Sequence, residues 1–528
     1  MTALLVGGAL LAGGCHRGPE LPNTPAVVDA PAAFGIAVAD EPQAALIGRD
    51  VLAAGGAAAD AATAMYFTMA VTLPSAASLG GGGICVIFDP VERKAHVLDF
   101  LPSAPKTVPP TADRPTAVPG NVRGFFALQA RFGHERWAEM LAPAETRARF
   151  GTPVSRALAG ELAPVESALA ADPAMRRVFA PQGTFAFDGD TIVQLDLATV
   201  LARIRVEGPG DFYSGRLADK LVAGTAAAGG SLTRDELQAF LPSWRTPLMI
   251  TGDGMTAHLP SPPPMAGAVA GQMWAMLVAH DRFADASPGS RGSLLADASL
   301  RAFAEADRLG LATPGAPPLV DPQLMVSQAR IEPLLTSPVP RTSRATALPR
   351  TENPSAAGLI AVDASGQAVA CSVTLNNLFG TGRMAEGTGI VLAAMPDAGG
   401  RGSAMLTPML VTDADNRHFR FAATASGGLV APEALVGTAA RTLLVKEPLT
   451  GAVADPRLVA LPDLDRTIVE EGMPAATIDA LRGRGPVTSV VSLGRVSATA
   501  CPDGLPGDPA TCQAVADPRG SGLGITTH

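Results

Sequence analysis

The residues best placed to do chemistry lie in positions 352–392, beside two short apolar segments. Positions 359–362 and 368–374 consist mainly of small and β-branched residues, and a turn ending in Gly366 separates them. This pattern predicts a β-hairpin. The second strand runs into Asn376 and a glycine-rich loop, where a backbone without side chains can approach a ligand closely. The sequence therefore predicts a site at this end of the hairpin.

Acid–base chemistry has three candidates in or near the hairpin: Asp363, Glu386 and Asp397. Their spacing matches no distinctive paired-carboxylate pattern. Asp363 also stands where the side chain of a turn residue bonds the hairpin backbone. No group of Cys and His residues has the spacing of metal ligands. The sequence predicts neither a metal nor a cofactor.

The hairpin resembles the start of the small subunit of the γ-glutamyltransferases (glutathione hydrolases), which are N-terminal-nucleophile hydrolases. In that family the strand opens with Thr-Thr-His and ends with Val-Asp, and the motifs Thr-Leu-Asn and Phe-Gly-Ser/Thr-Gly follow. Here positions 374–376 read TLN and positions 379–382 read FGTG. The family's first threonine, which cuts the chain before itself and then acts as nucleophile, falls on Ala356. A methyl group supplies no attacking oxygen, so the resemblance implies a chain without the reacting atom.

Ser355 is the hydroxyl beside this gap. If the register shifted by one residue, Ser355 would attack the carbonyl of Pro354. Such a shift turns a strand side chain to the opposite face of the sheet. The alternatives are therefore a shifted nucleophile and a polar residue in a linker, and chain cleavage that depends on Ser355 would distinguish them.

A second gap lies where the family has an arginine that binds the α-carboxylate of the substrate. The arginine position falls on Leu101, and the glutamate after it falls on Pro102. A charged hydrogen bond of this kind contributes about 1.5–3 kcal/mol and fixes orientation. The family's asparagine pair falls on Ala393 and Ala394. These losses favour a chain that does not carry out normal γ-glutamyl transfer.

Other family positions keep residues that can bind a ligand. The resemblance implies that the backbone N–H groups of Gly427 and Gly428 form an oxyanion hole. It implies these substrate-binding side chains: Thr374, Asn376, Asp397 and Ser403. Asn376 has an alternative role in capping the loop that follows it. The implied ligand is a γ-glutamyl or other acyl or peptide compound.

The N-terminus predicts export. Residues 1–14 are apolar but too few to span a bilayer, which indicates a cleaved signal peptide. Cys15 follows small residues, as at a bacterial lipoprotein cleavage site, so it is either lipidated or part of a leader that is simply removed. The expected location is periplasmic or on the outer side of the cell envelope. Membrane attachment is expected only through a lipidated N-terminus.

The remaining four cysteines have two expected roles. Cys501 and Cys512 flank a turn-rich segment suited to a disulfide in an oxidising compartment. Cys85 and Cys371 lie in apolar runs and are predicted to be buried thiols.

The whole chain has 528 residues, of which 47% are hydrophobic, and a net charge of −9. It can bury a large core, and without a basic patch no nucleic-acid partner is expected. The family resemblance implies an α/β (α+β) protein with a four-layer αββα sandwich. The predicted regions are a leader (1–15), a tether (16–34), a region resembling the large subunit (35–330), a proline-rich linker (331–355), a region resembling the small subunit (356–500) and a C-terminal tail (501–528).

Local patterns give further elements. Positions 441–445 and 487–493 are predicted as strands and positions 475–481 as a helix. The segment from Asp503 is rich in Gly and Pro and is predicted to be loosely ordered.

Three hypotheses follow for function. The chain is a degenerate family member with a binding or structural role, or a hydrolase or transferase that uses Ser355, or an enzyme of changed chemistry on the same fold. We favour the first. The sequence indicates no oligomeric state.

Overall fold

The computed structural model describes residues 33–311, 318–340, 356–396 and 405–527. Four predicted site residues lie outside these ranges: Cys15, Ser355, Asp397 and Ser403.

Strands and helices are numbered along the chain. The strands are β1 Gly35–Ala39, β2 Gly82–Asp89, β3 Lys94–Phe100, β4 Thr152–Pro153, β5 Thr191–Ile192, β6 Ser243–Arg245, β7 Leu248–Gly252, β8 Met255–Leu259, β9 Ala356–Asp363, β10 Ala368–Thr374, β11 Met384–Ala385, β12 Ile390–Val391, β13 Met409–Asp413, β14 Phe419–Ser426, β15 Leu458–Val459, β16 Thr467–Glu470, β17 Val487–Val490, β18 Arg495–Leu505, β19 Gln513–Val515 and β20 Leu523–Thr527. The α-helices are α1 Pro42–Ala53, α2 Ala58–Thr72, α3 Pro74–Ala77, α4 Asn121–Phe132, α5 Trp137–Phe150, α6 Arg156–Leu162, α7 Glu166–Leu169, α8 Pro173–Phe179, α9 Leu195–Glu207, α10 Pro209–Ser214, α11 Arg216–Ala227, α12 Arg234–Ala239, α13 Met265–Val278, α14 Pro288–Arg308, α15 Pro322–Met325, α16 Gln328–Thr336, α17 Ala431–Leu444, α18 Leu449–Ala454 and α19 Ala475–Arg482.

Two antiparallel sheets form the centre of the molecule. The first has seven strands in the order β20-β1-β9-β10-β2-β3-β6, and the second has six in the order β19-β18-β14-β13-β8-β7. Successive side chains of a strand point to opposite faces. In β9, Ile360 and Val362 therefore pack toward the second sheet, whereas Leu359 and Ala361 pack toward the helices. Because both faces are buried, β9 is apolar along nearly its whole length.

Helices cover the outer face of each sheet. Helices α1 and α2 pack on the first sheet, where every residue of α2 is buried and most are small, so the helix approaches the sheet closely. Helices α13 and α17 pack on the second sheet. This arrangement confirms the predicted four-layer αββα sandwich.

The predicted hairpin is present as β9 and β10, which pair from Ala356 with Thr374 to Val362 with Ala368. The turn between them is held by Asp363, whose Oδ1 accepts the backbone N–H groups of Ser365 at 2.9 Å and Gln367 at 3.2 Å. The turn role predicted for this aspartate is therefore confirmed.

Two local predictions are wrong. Positions 441–445 do not form a strand, because residues up to Leu444 continue α17 and bury Ala440 and Leu443 against the second sheet. The segment after Asp503 is not loosely ordered. Strand β20 pairs with β1, and this partner is almost 500 residues away, so no local pattern could reveal it.

The structure places Cys501 and Cys512 in a disulfide. Cys85 and Cys371 also form a disulfide, so the prediction of two buried thiols is wrong. These two residues are direct neighbours on β2 and β10, with Cα atoms 4.1 Å apart. No local pattern could reveal this pair, because its members are separated by 286 positions in the sequence.

Removing the Cys85–Cys371 disulfide should destabilise the fold more than removing the Cys501–Cys512 disulfide. In a chain-entropy model the longer loop is worth on the order of 5 kcal/mol and the shorter one on the order of 3 kcal/mol. The measurement is the urea midpoint of the two paired Cys→Ala variants. An equal shift for both pairs would contradict this expectation.

Candidate functional site

The candidate site lies between the two sheets, at the end where β9 begins. From the first sheet, Leu101, Thr374 and Ala356 face this space, and Leu101 and Ala356 pack against the inter-sheet apolar cluster. From the second sheet, Ser426 and Arg495 are register partners on β14 and β18. We call these five residues the mouth.

Ala356 takes the position in which the family resemblance puts the nucleophile. It is the first residue of β9 and pairs with Thr374. Its methyl group faces the inter-sheet space and is only partly buried. The side chain at the position that the resemblance assigns to the nucleophile therefore carries no oxygen.

The position that the resemblance assigns to the carboxylate-binding arginine is also apolar. The backbone N–H of Leu101 donates to Asp99 Oδ1 at 3.1 Å, which directs the chain away from β3. Pro102 then lies against β2, where a Cβ atom on Gly82 would be 2.4 Å from its nitrogen. The side chain of Leu101 fills the wall of the mouth instead of presenting a charge.

The glycine pair predicted for the oxyanion hole follows β14 and precedes α17. Gly427 has φ +124° and Gly428 has φ +62°, a region that favours glycine. A Cβ atom on Gly427 would lie 2.7 Å from the Cα of Gly494. Gly427 is thus fixed for backbone reasons, next to Ser426 and Gly494, the residue before Arg495. The glycine pair therefore lies beside the two residues that the second sheet contributes to the mouth.

Asn376 has a structural role in addition to any binding role. Its φ is +67°, which asparagine tolerates better than most residues. Its backbone N–H donates to Thr374 Oγ1 at 2.8 Å, and its Nδ2 donates to the carbonyl of Ala394 at 2.7 Å. The loop-capping alternative for Asn376 therefore accounts for both of these contacts.

The other acid–base candidates within the described ranges do not reach the mouth. Asp363 lies at the opposite end of β9, and its Oδ2 accepts the N–H of Ala58 at 3.0 Å. Glu386 is exposed, and its backbone lies against Gly224 of α11. The hypothesis of changed chemistry gains no support from these two residues.

A second row of polar residues lies directly beneath the mouth. Asp40 follows β1, and its Oδ2 accepts the N–H of Gly358 at 2.8 Å. The N–H of Asp40 in turn donates to the carbonyl of Gly358 at 3.1 Å. The Ser497 hydroxyl, on the second sheet, donates to Asp40 Oδ1 at 2.8 Å. Asp40 therefore ties β1 and β9 of the first sheet to β18 of the second, two residues from Ala356.

The same row contains two buried hydroxyl groups. Ser372 is the register partner of Gly358, and Thr424 is the register partner of Ser497. A Cβ atom on Gly358 would lie 2.1 Å from Thr424 Oγ1, so this position has no room for a side chain. Within the described residues neither Ser372 Oγ nor Thr424 Oγ1 has a hydrogen-bond partner.

Arg495 links the mouth to a buried carboxyl group. Its Nη2 donates to Glu161 Oε1 at 3.1 Å, and Ser75 donates to Glu161 Oε2 at 2.5 Å. The side chain of Arg495 is 20% exposed, against 6% for Glu161. Burial raises the pKa of Glu161 and of Asp40, and the positive charge of Arg495 opposes both shifts.

Two more ion pairs extend this network behind the mouth. Arg457 donates to Asp517 Oδ2 at 2.6 Å and to the carbonyl of Gly494 at 3.0 Å. Arg519 donates to Glu470 Oε2 at 2.5 Å. The network thereby holds the backbone that carries Arg495.

Sequence reasoning missed Asp40, Glu161 and Arg495. Asp40 directly follows an apolar strand, and Arg495 follows a glycine at the start of another strand. A charged residue beside a strand was the signal that could have identified both as site residues. Glu161 lies on a short helix and gave no signal. In the described part of the chain there is no group of three His, Cys, Asp or Glu residues able to hold a metal. Nor does any described helix have the length and hydrophobicity needed to cross a membrane.

Comparison with known proteins decides the family. The sequence profile described as Gamma-glutamyltranspeptidase matches residues 44–527. The chain belongs to the gamma-glutamyltranspeptidase family. The resemblance first seen in the hairpin is thereby confirmed over nearly the whole chain.

Relatives within this family are about equally distant. The Glutathione hydrolase proenzyme of Pseudomonas aeruginosa is 30% identical over 384 residues, which cover 68% of this chain and 67% of the relative. The Glutathione hydrolase proenzyme of Escherichia coli is 29% identical over 419 residues, which cover 73% and 71%. The Acylase ACY 1 proenzyme of Pseudomonas sp. strain V22 is 29% identical over 385 residues, or 68% of each chain.

Solved structures agree on the fold. Cephalosporin acylase from Bacillus halodurans superposes with a TM-score of 0.79 at 22% identity, covering 96% of this chain and 98% of the other. The gamma-glutamyltranspeptidase of Helicobacter pylori gives a TM-score of 0.51 at 26% identity, covering 56% of this chain and 89% of the other. The family architecture is retained, whereas the residues that occupy the mouth must be judged one by one.

Proposed function

We propose that this chain is a degenerate gamma-glutamyltranspeptidase that neither cuts itself nor carries out normal γ-glutamyl transfer. It uses the retained mouth to bind a small ligand. The observation that carries the proposal is the methyl group of Ala356 at the start of β9, where the family places its nucleophile.

A second observation supports the same proposal from the other side of the mouth. Leu101 packs on the apolar cluster and leaves the arginine position without charge. A substrate with a free α-carboxylate loses the bidentate contact that the family uses to orient it. Nucleophile and anchor are thus both missing from one mouth.

The retained structure around the mouth favours a binding role over a site that has closed. Gly427 and Gly428 both have positive φ values and directly follow Ser426 of the mouth. Ala356, Leu101 and Gly428 are all partly exposed. A ligand can therefore reach these three residues, which supports a binding role.

The test is the intact mass of the mature protein beside that of Ser355→Ala. We expect one uncut chain in both cases, because Ala356 has no hydroxyl to attack the preceding carbonyl, and Ser355 could replace it only if the register shifted by one residue. Two fragments meeting between Pro354 and Ser355, and absent from Ser355→Ala, would overturn the proposal in favour of a shifted nucleophile.

We also propose that the chain works outside the cytoplasm. The presence of two disulfides supports this location, because such bonds persist in oxidising compartments. The signal peptide and the lipidation of Cys15 remain predictions.

A further inference from the structure

Asp40 is the unpaired charge of the network at the mouth. Among the described residues, three guanidinium groups are matched by three carboxylates: Arg495 with Glu161, Arg457 with Asp517 and Arg519 with Glu470. Asp40 is a fourth carboxylate. Within the same ranges it accepts hydrogen bonds from the Gly358 N–H and the Ser497 hydroxyl, and no cationic side chain lies within ion-pair distance.

An unpaired charge in such a place is costly. Asp40 is partly withdrawn from water, and a carboxylate in such a position needs a counter-charge or a proton to avoid a desolvation penalty. Arg495 acts on Asp40 as well as on Glu161, so three guanidinium groups serve four carboxylates and one negative charge is left in excess, which a cation from outside the chain would balance. Asp40 is half-buried, so a small cationic group can reach it.

The surroundings of Asp40 supply further acceptors. Thr424 Oγ1 and Ser372 Oγ lie in the same row, are buried, and have no hydrogen-bond partner in the part of the chain that the structure describes. Hydroxyl oxygens accept hydrogen bonds as well as donate them. The row therefore combines one unpaired carboxylate with two unsatisfied hydroxyls.

The opposite side of the mouth is apolar. Leu101 and Ala356 both pack on the inter-sheet cluster, which also contains Leu406. A ligand that extends from Asp40 toward this wall gains by burying hydrocarbon.

We propose that the mouth binds a primary ammonium group against Asp40, on a ligand whose remaining body is apolar. This inference rests on the binding role proposed for the mouth and names its ligand class. Among the described residues, a carboxylate ligand would meet Asp40 and Glu161 with Arg495 as the only cation beside them, so the balance of charge favours the amine.

The pH dependence follows from the same groups. Arg495, Glu161 and Asp517 are the charged side chains that act on Asp40, and burial raises its pKa above the ordinary value. Below that raised pKa the carboxyl is neutral and attracts no cation. An alkylamine stays protonated up to a pH of about 10. Affinity for the amine should therefore increase as pH rises through the raised pKa of Asp40.

The experiment is calorimetric titration of the full chain, after its intact mass is known, with hexylamine, hexanol and hexanoate between pH 5 and 8. We expect hexylamine to bind more tightly than either of the others, and more tightly at higher pH. Asp40→Asn should weaken hexylamine binding at least about tenfold, since a charged hydrogen bond becomes a neutral one. Asp479→Asn is the matched control, because that side chain is 73% exposed on α19.

Glu161→Gln gives a second readout if Asp40→Asn fails to fold. Without the Glu161 charge, Arg495 is free to neutralise Asp40, so hexylamine binding should again weaken. The inference would be overturned if hexanoate bound as tightly as hexylamine or more tightly. It would also be overturned if sodium chloride or ammonium chloride displaced all of the bound hexylamine. An uncut chain that does not bind hexylamine defeats this inference alone, whereas cleavage that depends on Ser355 defeats the proposed function.

Discussion

The wild-type chain should release p-nitroaniline from γ-glutamyl-p-nitroanilide no faster than the uncatalysed reaction. Removing the nucleophile of a preorganised site costs on the order of a millionfold in turnover. In the proposed function the position of that nucleophile is Ala356, and Leu101 adds the loss of the carboxylate anchor. The measurement is the rate of colour release with purified chain, with and without an acceptor dipeptide.

The control for this assay is the Glutathione hydrolase proenzyme of Pseudomonas aeruginosa in the same buffer, which must show turnover for the test to be informative. Turnover by the wild-type chain that Ser355→Ala abolishes would contradict the expectation and identify a shifted nucleophile. Turnover that survives Ser355→Ala would point to a contaminating enzyme or a different group in the chain.

The variant Arg457→Ala should lose about 3–5 kcal/mol of stability. The Arg457 side chain is 6% exposed and pairs with Asp517, which is 2% exposed. Removal of the guanidinium leaves the carboxylate of Asp517 with weaker compensation and frees the carbonyl of Gly494, one residue before Arg495. The free energy of unfolding from urea titration measures the loss.

Arg482→Ala is the matched control, since that arginine is 66% exposed and its removal should change stability by no more than about 0.5 kcal/mol. The paired variant Arg457→Ala with Asp517→Ala should lose less than the sum of the single losses, because it leaves no unpaired charge. A loss below about 1 kcal/mol for Arg457→Ala would show that the ion pair does not stabilise the fold.

Much of the fold near the mouth was predictable because its signals are local. The small and β-branched residues of β9 and β10, together with the turn at Asp363, define a hairpin without reference to the rest of the chain. The helix predicted at positions 475–481 is present as α19. A strand was wrongly predicted at positions 441–445. Continuing a buried helix stabilises those residues more than their local pattern indicates.

The architecture itself came from the resemblance to a family rather than from periodicity. Composition allows many α/β arrangements, and the order of strands in the two sheets depends on partners far apart in sequence. The pairing of β20 with β1 and the bond between Cys85 and Cys371 illustrate this dependence. Both were missed because a long separation leaves no mark on either segment alone.

The sequence by itself determined the absence of a hydroxyl at Ala356 and of a charge at Leu101, because a side chain's chemistry is fixed by its identity. Tertiary structure alone decided that these two residues face one mouth and that Asp40 and Arg495 lie beside them. Asp40 follows β1 and Leu101 follows β3, whereas Ala356 and Arg495 are the first residues of β9 and β18. Only the stacking of two sheets, driven by burial of the apolar faces between them, brings such distant positions together.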